Sequence, residues 1–161
     1  MRFAHLVPAS LAALTLATFA QPAAAGMEEA VKALQANDFT TAEKELEVLA
    51  KERDPRAEFL MGLYVYGNPD SKQLDLNKAA PMLLDAAERG YTPAMIPLAD
   101  CYAQGKGMPK SFFESYKWVA IADHWNVPNA GPLIDQVSKE LKPEEIEKAK
   151  AEAAAYTFKM K

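Results

Sequence analysis

The sequence predicts an all-α fold, a short right-handed α/α solenoid of helical pairs that ends in a C-terminal capping helix. Two observations predict it: apolar residues recur with helical spacing along most of the chain after residue 26, and similar residues recur at intervals of 36 or 37 positions. Apolar residues three and four positions apart form one stripe on a helix. A repeat of about 36 residues that contains two helices is typical of solenoids. No useful length of the chain alternates apolar and polar residues, so no strand is expected.

Residues 1–25 are expected to be a secretory signal peptide. Arg2 provides a small positive start, residues 6–19 form an apolar run rich in Ala and Leu, and Ala23–Ala25 supplies a cleavage pattern of small residues. The run is too short to span a bilayer, so no stable membrane insertion is expected after cleavage following Ala25. We therefore expect a periplasmic or secreted protein. An uncleaved membrane anchor or a disordered extension is the alternative interpretation.

The composition of the remaining 136 residues excludes several functional classes. Because Arg2 is the only Lys or Arg of the predicted signal peptide, its removal changes the net charge from −4 to −5. An acidic chain lacks the basic surface that nucleic acid requires, so no nucleic-acid partner is expected. Cys101 and His124 are the single Cys and the single His of this part, too few for a structural zinc site or an internal disulfide. We expect no metal and no cofactor.

About eight helices are predicted in order from the apolar spacing. Their stripes consist of Met27, Ala30, Val31 and Leu34; Phe39, Ala42, Leu46, Leu49 and Ala50; Ala57, Leu60, Met61, Tyr64 and Val65; Leu76, Ala79, Ala80, Leu83, Ala86 and Ala87; Ala94, Leu98, Cys101 and Tyr102; and Phe112, Ser115, Tyr116, Val119 and Ala122. Two further segments, 133–141 and 143–156, complete the set. Asp38 and Asp54 are residues that commonly begin helices, and Gly90 is of the type that ends them.

The repeat is visible in small residues. Ala42 recurs as Ala79, and Ala57 recurs as Ala94, in both cases 37 positions later. Small residues at matching positions allow paired helices to approach closely. We therefore predict a single solenoid domain over residues 26–161, with repeats at about 27–53, 55–90 and 92–126 and with C-terminal capping helices at 129–157.

The repeated segments follow a pattern close to A-x-x-x-L-G-x-x-Y-x-x-G-x-G, a short loop, and then D-x-x-K-A and A-A-x-x-G. The matching residues are Ala57, Met61, Gly62, Tyr64, Gly67, Asp75, Lys78, Ala79, Ala86, Ala87 and Gly90, and then Ala94, Leu98, Tyr102, Gly105, Gly107, Tyr116, Trp118 and Ala122. Tyr64 and Gly67 stand one residue early. In this pattern the chain resembles the Sel-1-like repeat family, a relative of the tetratricopeptide repeat, in an exported bacterial form. The resemblance implies an α/α solenoid with Ala57, Gly62, Ala79, Gly90, Ala94, Tyr102 and Gly105 as structural repeat positions.

The sequence contains little that points to catalysis. It has neither the S-x-x-K nor the G-x-S-x-G serine motif, and it has no phosphate-binding loop. Cys101 lies on a predicted core stripe and is interpreted as a small buried hydrophobe. His124 falls at the end of a helix, where the helix dipole favours an imidazolium. We therefore expect a protein that is not an enzyme.

A second apolar stripe predicts a binding surface. Phe59, Leu63 and Tyr66 lie at spacings of four and three, off the core stripe of their helix. In the resembling solenoids the first helix of each pair lines a concave groove, which implies that these residues face it. The resemblance maps four further residues to the same side: Arg56, Ile96, Asp100 and Gln104. The alternative is that neighbouring helices cover the stripe.

The expected function is that of an exported protein–protein interaction module, acting as an adaptor, a regulator or an immunity-like partner. Phe59, Leu63 and Tyr66 would anchor another protein or a peptide, and the acidic net charge favours a basic partner by steering association. Two alternatives are a cell-wall or β-lactam-directed hydrolase that uses His124 with a carboxylate, and a small-ligand sensor that uses the same groove.

Overall fold

The computed structural model describes residues 22–159, and these residues form helices and no strand. The α-helices are α1 (Pro22–Gln35), α2 (Phe39–Lys51), α3 (Pro55–Leu60), α4 (Leu76–Glu88), α5 (Met95–Gln104), α6 (Phe112–His124), α7 (Ala130–Val137) and α8 (Pro143–Ala154). No helix among these residues is long and apolar enough to cross a membrane. The apolar run of the predicted signal peptide lies outside the described residues, whereas Ala23–Ala25 are part of α1.

Helices α2 and α3 begin directly after Asp38 and Asp54, the two residues that the sequence predicts as helix starts. Asp38 accepts a hydrogen bond from the Thr41 amide of α2 (3.1 Å), and Asp54 accepts one from the Arg56 amide of α3 (2.9 Å). The backbone amides of the first helical turn have no carbonyl acceptor within the helix, and each carboxylate serves as an acceptor for one of them. Gly90 and Gly105 have positive φ angles of 85° and 71°, as the residue after a helix often requires.

Consecutive helices pack as pairs, and buried residues join the pairs into one row. A first core cluster includes Leu46 of α2, Met61 and Ala79, and a second includes Leu83, Leu98 and Trp118. The predicted repeat alanines Ala57, Ala79 and Ala94 are buried in these clusters. The all-α arrangement of paired helices predicted from the periodicity is confirmed.

Gly62 marks the closest approach between the second pair of helices. A Cβ at this position would lie 2.9 Å from the Ala79 carbonyl oxygen of α4 and 3.1 Å from the Leu83 side chain. Glycine is therefore the residue that allows this separation of the two backbones. The contact explains why a small residue occupies this repeat position.

A π-helical segment extends α3 from Met61 to Val65. The Tyr66 amide donates to the Met61 carbonyl, five residues earlier, at 2.8 Å. This wide turn holds one residue more than an α-helical turn, so it rotates the side chains that follow it. The predicted orientations of Tyr64 and Tyr66 assumed an unbroken α-helix, and both are wrong for this reason.

Tyr66 does not face the groove, which corrects the prediction that grouped it with Phe59 and Leu63. Its side chain is only 4 % exposed, and its hydroxyl donates to Glu43 Oε1 at 2.6 Å. Tyr64, predicted to face the core, is instead 44 % exposed. The π-helical segment exchanges the environments of these two tyrosines.

Candidate binding groove

A cavity of about 460 Å³ lies among the first helices of successive pairs. Leu63 of the π-helical segment, Ile96 and Cys101 of α5, and Leu133 and Val137 of α7 line it. Buried residues of α4 and α6, among them Ala79, Leu83 and Val119, also line it and form its floor. The lining is therefore mostly apolar.

Two aromatic residues lie near Leu63 on the same continuous helix, outside the residues that line the cavity. The rings of Phe59 and Tyr64 meet edge to face with their centroids 6.2 Å apart, and Phe59 packs on Tyr91 at 5.2 Å. Phe59 is partly exposed, like Leu63. We refer to the cavity together with Phe59 and Tyr64 as the groove.

The structure brings together some of the residues predicted for the groove and separates others. Leu63, Ile96 and Asp100 line the cavity, whereas Phe59 lies one turn before Leu63 on the same continuous helix and is not among the lining residues. Arg56 and Gln104 are exposed and do not line the cavity. Tyr66 lies in the core cluster of the first two pairs.

Sequence reasoning missed Tyr64 and Cys101 as groove residues. They occupy equivalent repeat positions, 37 residues apart, and both were assigned to a core stripe. The same interval relates Phe59 to Ile96 and Leu63 to Asp100. This periodicity is therefore the signal that could have grouped Tyr64 and Cys101 with the predicted groove residues. No such signal identifies Leu133 and Val137, because α7 reaches the cavity only through tertiary packing.

The charged groups nearest the groove are paired within the protein. Asp100 lies 3.7 Å from Lys106 Nζ and accepts a hydrogen bond from the side-chain amide of Gln104. The Arg56 guanidinium donates to both carboxylate oxygens of Asp54, at 2.6 Å and 3.0 Å, and this hydrogen bonding lowers the pKa of Asp54. Because these charges are balanced locally, the groove presents mainly apolar surface to a partner.

Cys101 lines the cavity, whereas His124 does not. Burial, and secondly the charge of Asp100, raises the pKa of the Cys101 thiol, so it is protonated at neutral pH. Its side chain is partly buried against the cavity. His124 is exposed in the last turn of α6 and lies edge to face with Trp125 at 6.1 Å.

Among residues 22–159, no group of three or more His, Cys, Asp or Glu side chains is placed to hold a metal ion. The polar atoms that line the cavity belong to few side chains, including Asp100, Lys106, Ser115 and Gln136. The groove therefore offers apolar contact area with a small number of polar groups at its margin. That arrangement suits binding by shape and apolar burial.

No family model and no curated protein matches this sequence. A search of solved structures finds a protective antigen present in uropathogenic Escherichia coli strains, whose crystal structure displays an SLR (Sel-1-like repeat) fold. The two structures superpose with a TM-score of 0.75 at 20 % sequence identity. This chain has the SLR fold. The match covers 83 % of this chain and 29 % of the antigen, so the chain spans less than a third of that protein's length.

The likeness confirms the Sel-1-like resemblance at the level of the fold. It also fits the pairing of helices described above, because an SLR solenoid is a row of such pairs. The sequence identity is low, and so the likeness concerns architecture alone.

Proposed function

We propose that this SLR-fold chain is an exported protein–protein interaction module that holds a segment of another protein in the groove. The role would be that of an adaptor, a regulator or an immunity-like partner. The observation that carries the proposal is the apolar cavity of about 460 Å³ that Leu63 and Ile96 line, together with the 44 % exposed Tyr64 that follows Leu63 on the same helix. Exposed aromatic and aliphatic groups beside a cavity are typical of protein-binding surfaces.

The groove can be tested by capturing partners from a periplasmic extract of the source cell with immobilised protein. We expect the double substitution Phe59→Ala and Tyr64→Ala to reduce capture by at least tenfold, because it removes the aromatic border of the groove. Val48→Ala is a matched control, since Val48 is 54 % exposed on α2 and does not line the cavity. Equal capture by the double variant and the wild type, with both folded by circular dichroism, would contradict the proposal.

Cys101 provides an independent test with the captured partner. It is the only cysteine of the chain and lines the cavity, so a bulky thiol reagent reports directly on access to the groove. We expect saturating partner to slow the labelling of Cys101 several-fold. Unchanged labelling in the saturated complex would place the partner elsewhere.

The cavity also supports a second candidate, a small-ligand sensor. A volume of about 460 Å³ falls within the range of about 300–1,000 Å³ that is common for small-molecule sites. Peptidoglycan fragments and β-lactams are suitable probes for an exported protein of bacterial type. A rise in melting temperature that is lost in Leu63→Ala and Ile96→Ala would favour this candidate over a protein partner.

Export is the other part of the proposal. It rests on the sequence pattern of residues 1–25. Mass spectrometry of the protein from the periplasm or medium is expected to find Gly26 as the first residue. Since α1 begins at Pro22, cleavage after Ala25 would also shorten this helix by four residues.

A further inference from the structure

Two carboxylates face one guanidinium between α3 and the end of α4. Arg89 Nη1 lies 3.2 Å from Glu58 Oε2 and 3.0 Å from Asp85 Oδ2. The Arg89 and Glu58 side chains are only 10 % and 15 % exposed. Arg89 Nη2 also donates to the Arg53 carbonyl, so the cluster joins the turn before α3 to the residue that ends α4.

Arg89 is the cation that contacts both carboxylates of this cluster. Arg53, on the turn between α2 and α3, acts on Asp85 from a distance. The other nearby charges of α3 and α4 have partners elsewhere: Arg56 binds Asp54, and Glu88 binds Lys159. The neighbouring start of α5, residues 95–99, contains no charged residue.

We propose that Glu58 and Asp85 share one proton, and that losing this proton loosens the contact of α3 with the end of α4 and so alters the groove wall that carries Phe59 and Leu63. The inference rests on the proposed function in one respect, that the groove is the surface that binds a partner. Glu58 immediately precedes Phe59, and Leu63 follows in the π-helical segment of the same continuous helix. Movement of α3 therefore moves the aromatic border of the groove.

The physical reason lies in the charge balance of a site in which Glu58 and Arg89 are largely buried and Asp85 is 43 % exposed. With one proton bound, the Glu58 carboxyl donates to the Asp85 carboxylate, and the cluster with Arg89 is neutral. Burial, and then the hydrogen bond and charge of Asp85, raises the pKa of Glu58 to about 7. Although burial opposes it, the hydrogen bond from Glu58 and the charge of Arg89 lower the pKa of Asp85. Above a pH of about 7, both carboxylates are ionised and share the guanidinium of Arg89. The added negative charge falls on Glu58, whose burial disfavours the ionised form.

The pH dependence of stability follows with a definite sign. Because the pKa of Glu58 is raised on folding from an ordinary value of 4.5 to about 7, the folded state binds more protons between these values. The stabilisation is complete below the ordinary pKa and is lost as the pH rises through the folded one. Neutral to alkaline conditions therefore loosen α3.

A carbon-detected NMR titration of the purified chain tests the proposal. We expect the side-chain carboxyl carbon of Glu58 to titrate with a midpoint near 7, and the backbone amides of Phe59 and Leu63 to shift with the same midpoint. Asp85→Asn is expected to move the Glu58 midpoint down towards the ordinary carboxyl range. Glu58→Gln, which preserves size and hydrogen bonding, is expected to abolish the amide shifts.

Glu28→Gln is the matched control, because Glu28 is an exposed carboxylate on α1. It should leave all of these shifts unchanged. A Glu58 midpoint in the ordinary carboxyl range, or α3 amides that do not follow the Glu58 titration, would overturn the proposal. The wild-type titration decides the question even if a variant fails to fold.

The experiment uses no partner, so its outcome is separate from that of the proposed function. Failure here would leave the loss of capture by the Phe59 and Tyr64 double variant unaffected. Conversely, if the groove bound no partner, the NMR titration of Glu58 would still test the inference.

Discussion

At the scale of single residues, Tyr64 and Tyr66 show how one backbone hydrogen bond decides the role of a side chain. Both are tyrosines on the same turn, yet one is 44 % exposed and the other 4 %. The buried ring lies under Lys78 Nζ at 4.9 Å, and its hydroxyl binds Glu43 of α2. Tyr66 therefore ties the first pair of helices to the second, whereas Tyr64 is free to contact a partner.

Replacing Tyr66 by Phe removes the bond to Glu43 and retains the ring. We expect a loss of about 1–2 kcal/mol in the free energy of unfolding, since the bond is partly buried and its acceptor is charged. Urea denaturation measures the change. Tyr64→Phe is the control and should be neutral; an equal effect of both substitutions would contradict the assigned environments.

At the scale of elements, the close contact between the π-helical segment and α4 sets the geometry of the second pair. The Ala79 carbonyl and Leu83 leave no room for a side chain at Gly62. The wide turn and this contact act together, because the turn presents Gly62 to α4 while Leu63 lines the cavity. The groove wall thus depends on this contact, whose residues Gly62, Ala79 and Leu83 also line the cavity.

Gly62→Ala should destabilise the protein by about 1–3 kcal/mol, because the new methyl group overlaps a backbone oxygen that cannot move freely. Gly131→Ala is a matched control within α7. There the nearest atom to an added Cβ is Asp123 Oδ1, at 4.0 Å, so a gain of up to about 1 kcal/mol is expected. Similar midpoints of urea unfolding for the two variants would refute this account.

At the scale of the whole molecule, the C-terminal segment contacts the second and third pairs of helices, which precede it by 30 residues or more in the sequence. The Phe158 ring packs on Trp125 at 5.2 Å and lies against Gly90, and Tyr156 packs on Trp118 at 5.2 Å. The Lys159 amide donates to the Glu88 carbonyl at 2.7 Å. Residues that follow the last helix therefore pack against both the second and the third pair.

Phe158→Ala should lower the free energy of unfolding by about 1.5–3 kcal/mol, given that the ring is partly buried in an aromatic cluster. The protein has two tryptophans and both contact this segment, so the same substitution should change the intrinsic fluorescence spectrum. Thr157→Ala, at an exposed neighbour, is the control. An unchanged spectrum and stability for Phe158→Ala would mean that the segment does not dock in solution.

Much of the fold follows from local rules that act within a few residues. Apolar spacing predicts the helices, Asp38 and Asp54 mark their starts, and the 37-residue interval predicts their pairing. These rules work because a helix needs one apolar face and a partner for its end amides, whatever surrounds it. The candidate site is less predictable, since Leu63, Ile96 and Asp100 reach the cavity but Tyr66 does not.

The sequence by itself determined the class of fold, the order of the helices, the repeat and the scarcity of chemically reactive groups. Only the tertiary structure decided which tyrosine is exposed, that α7 completes the cavity, and that Glu58 and Asp85 meet at Arg89. The physical reason is that apolar spacing assumes a uniform α-helix, and it therefore records neither the π-helical turn nor the contacts between elements that are distant in sequence. Such contacts also bring like charges together at a cost that no local pattern records.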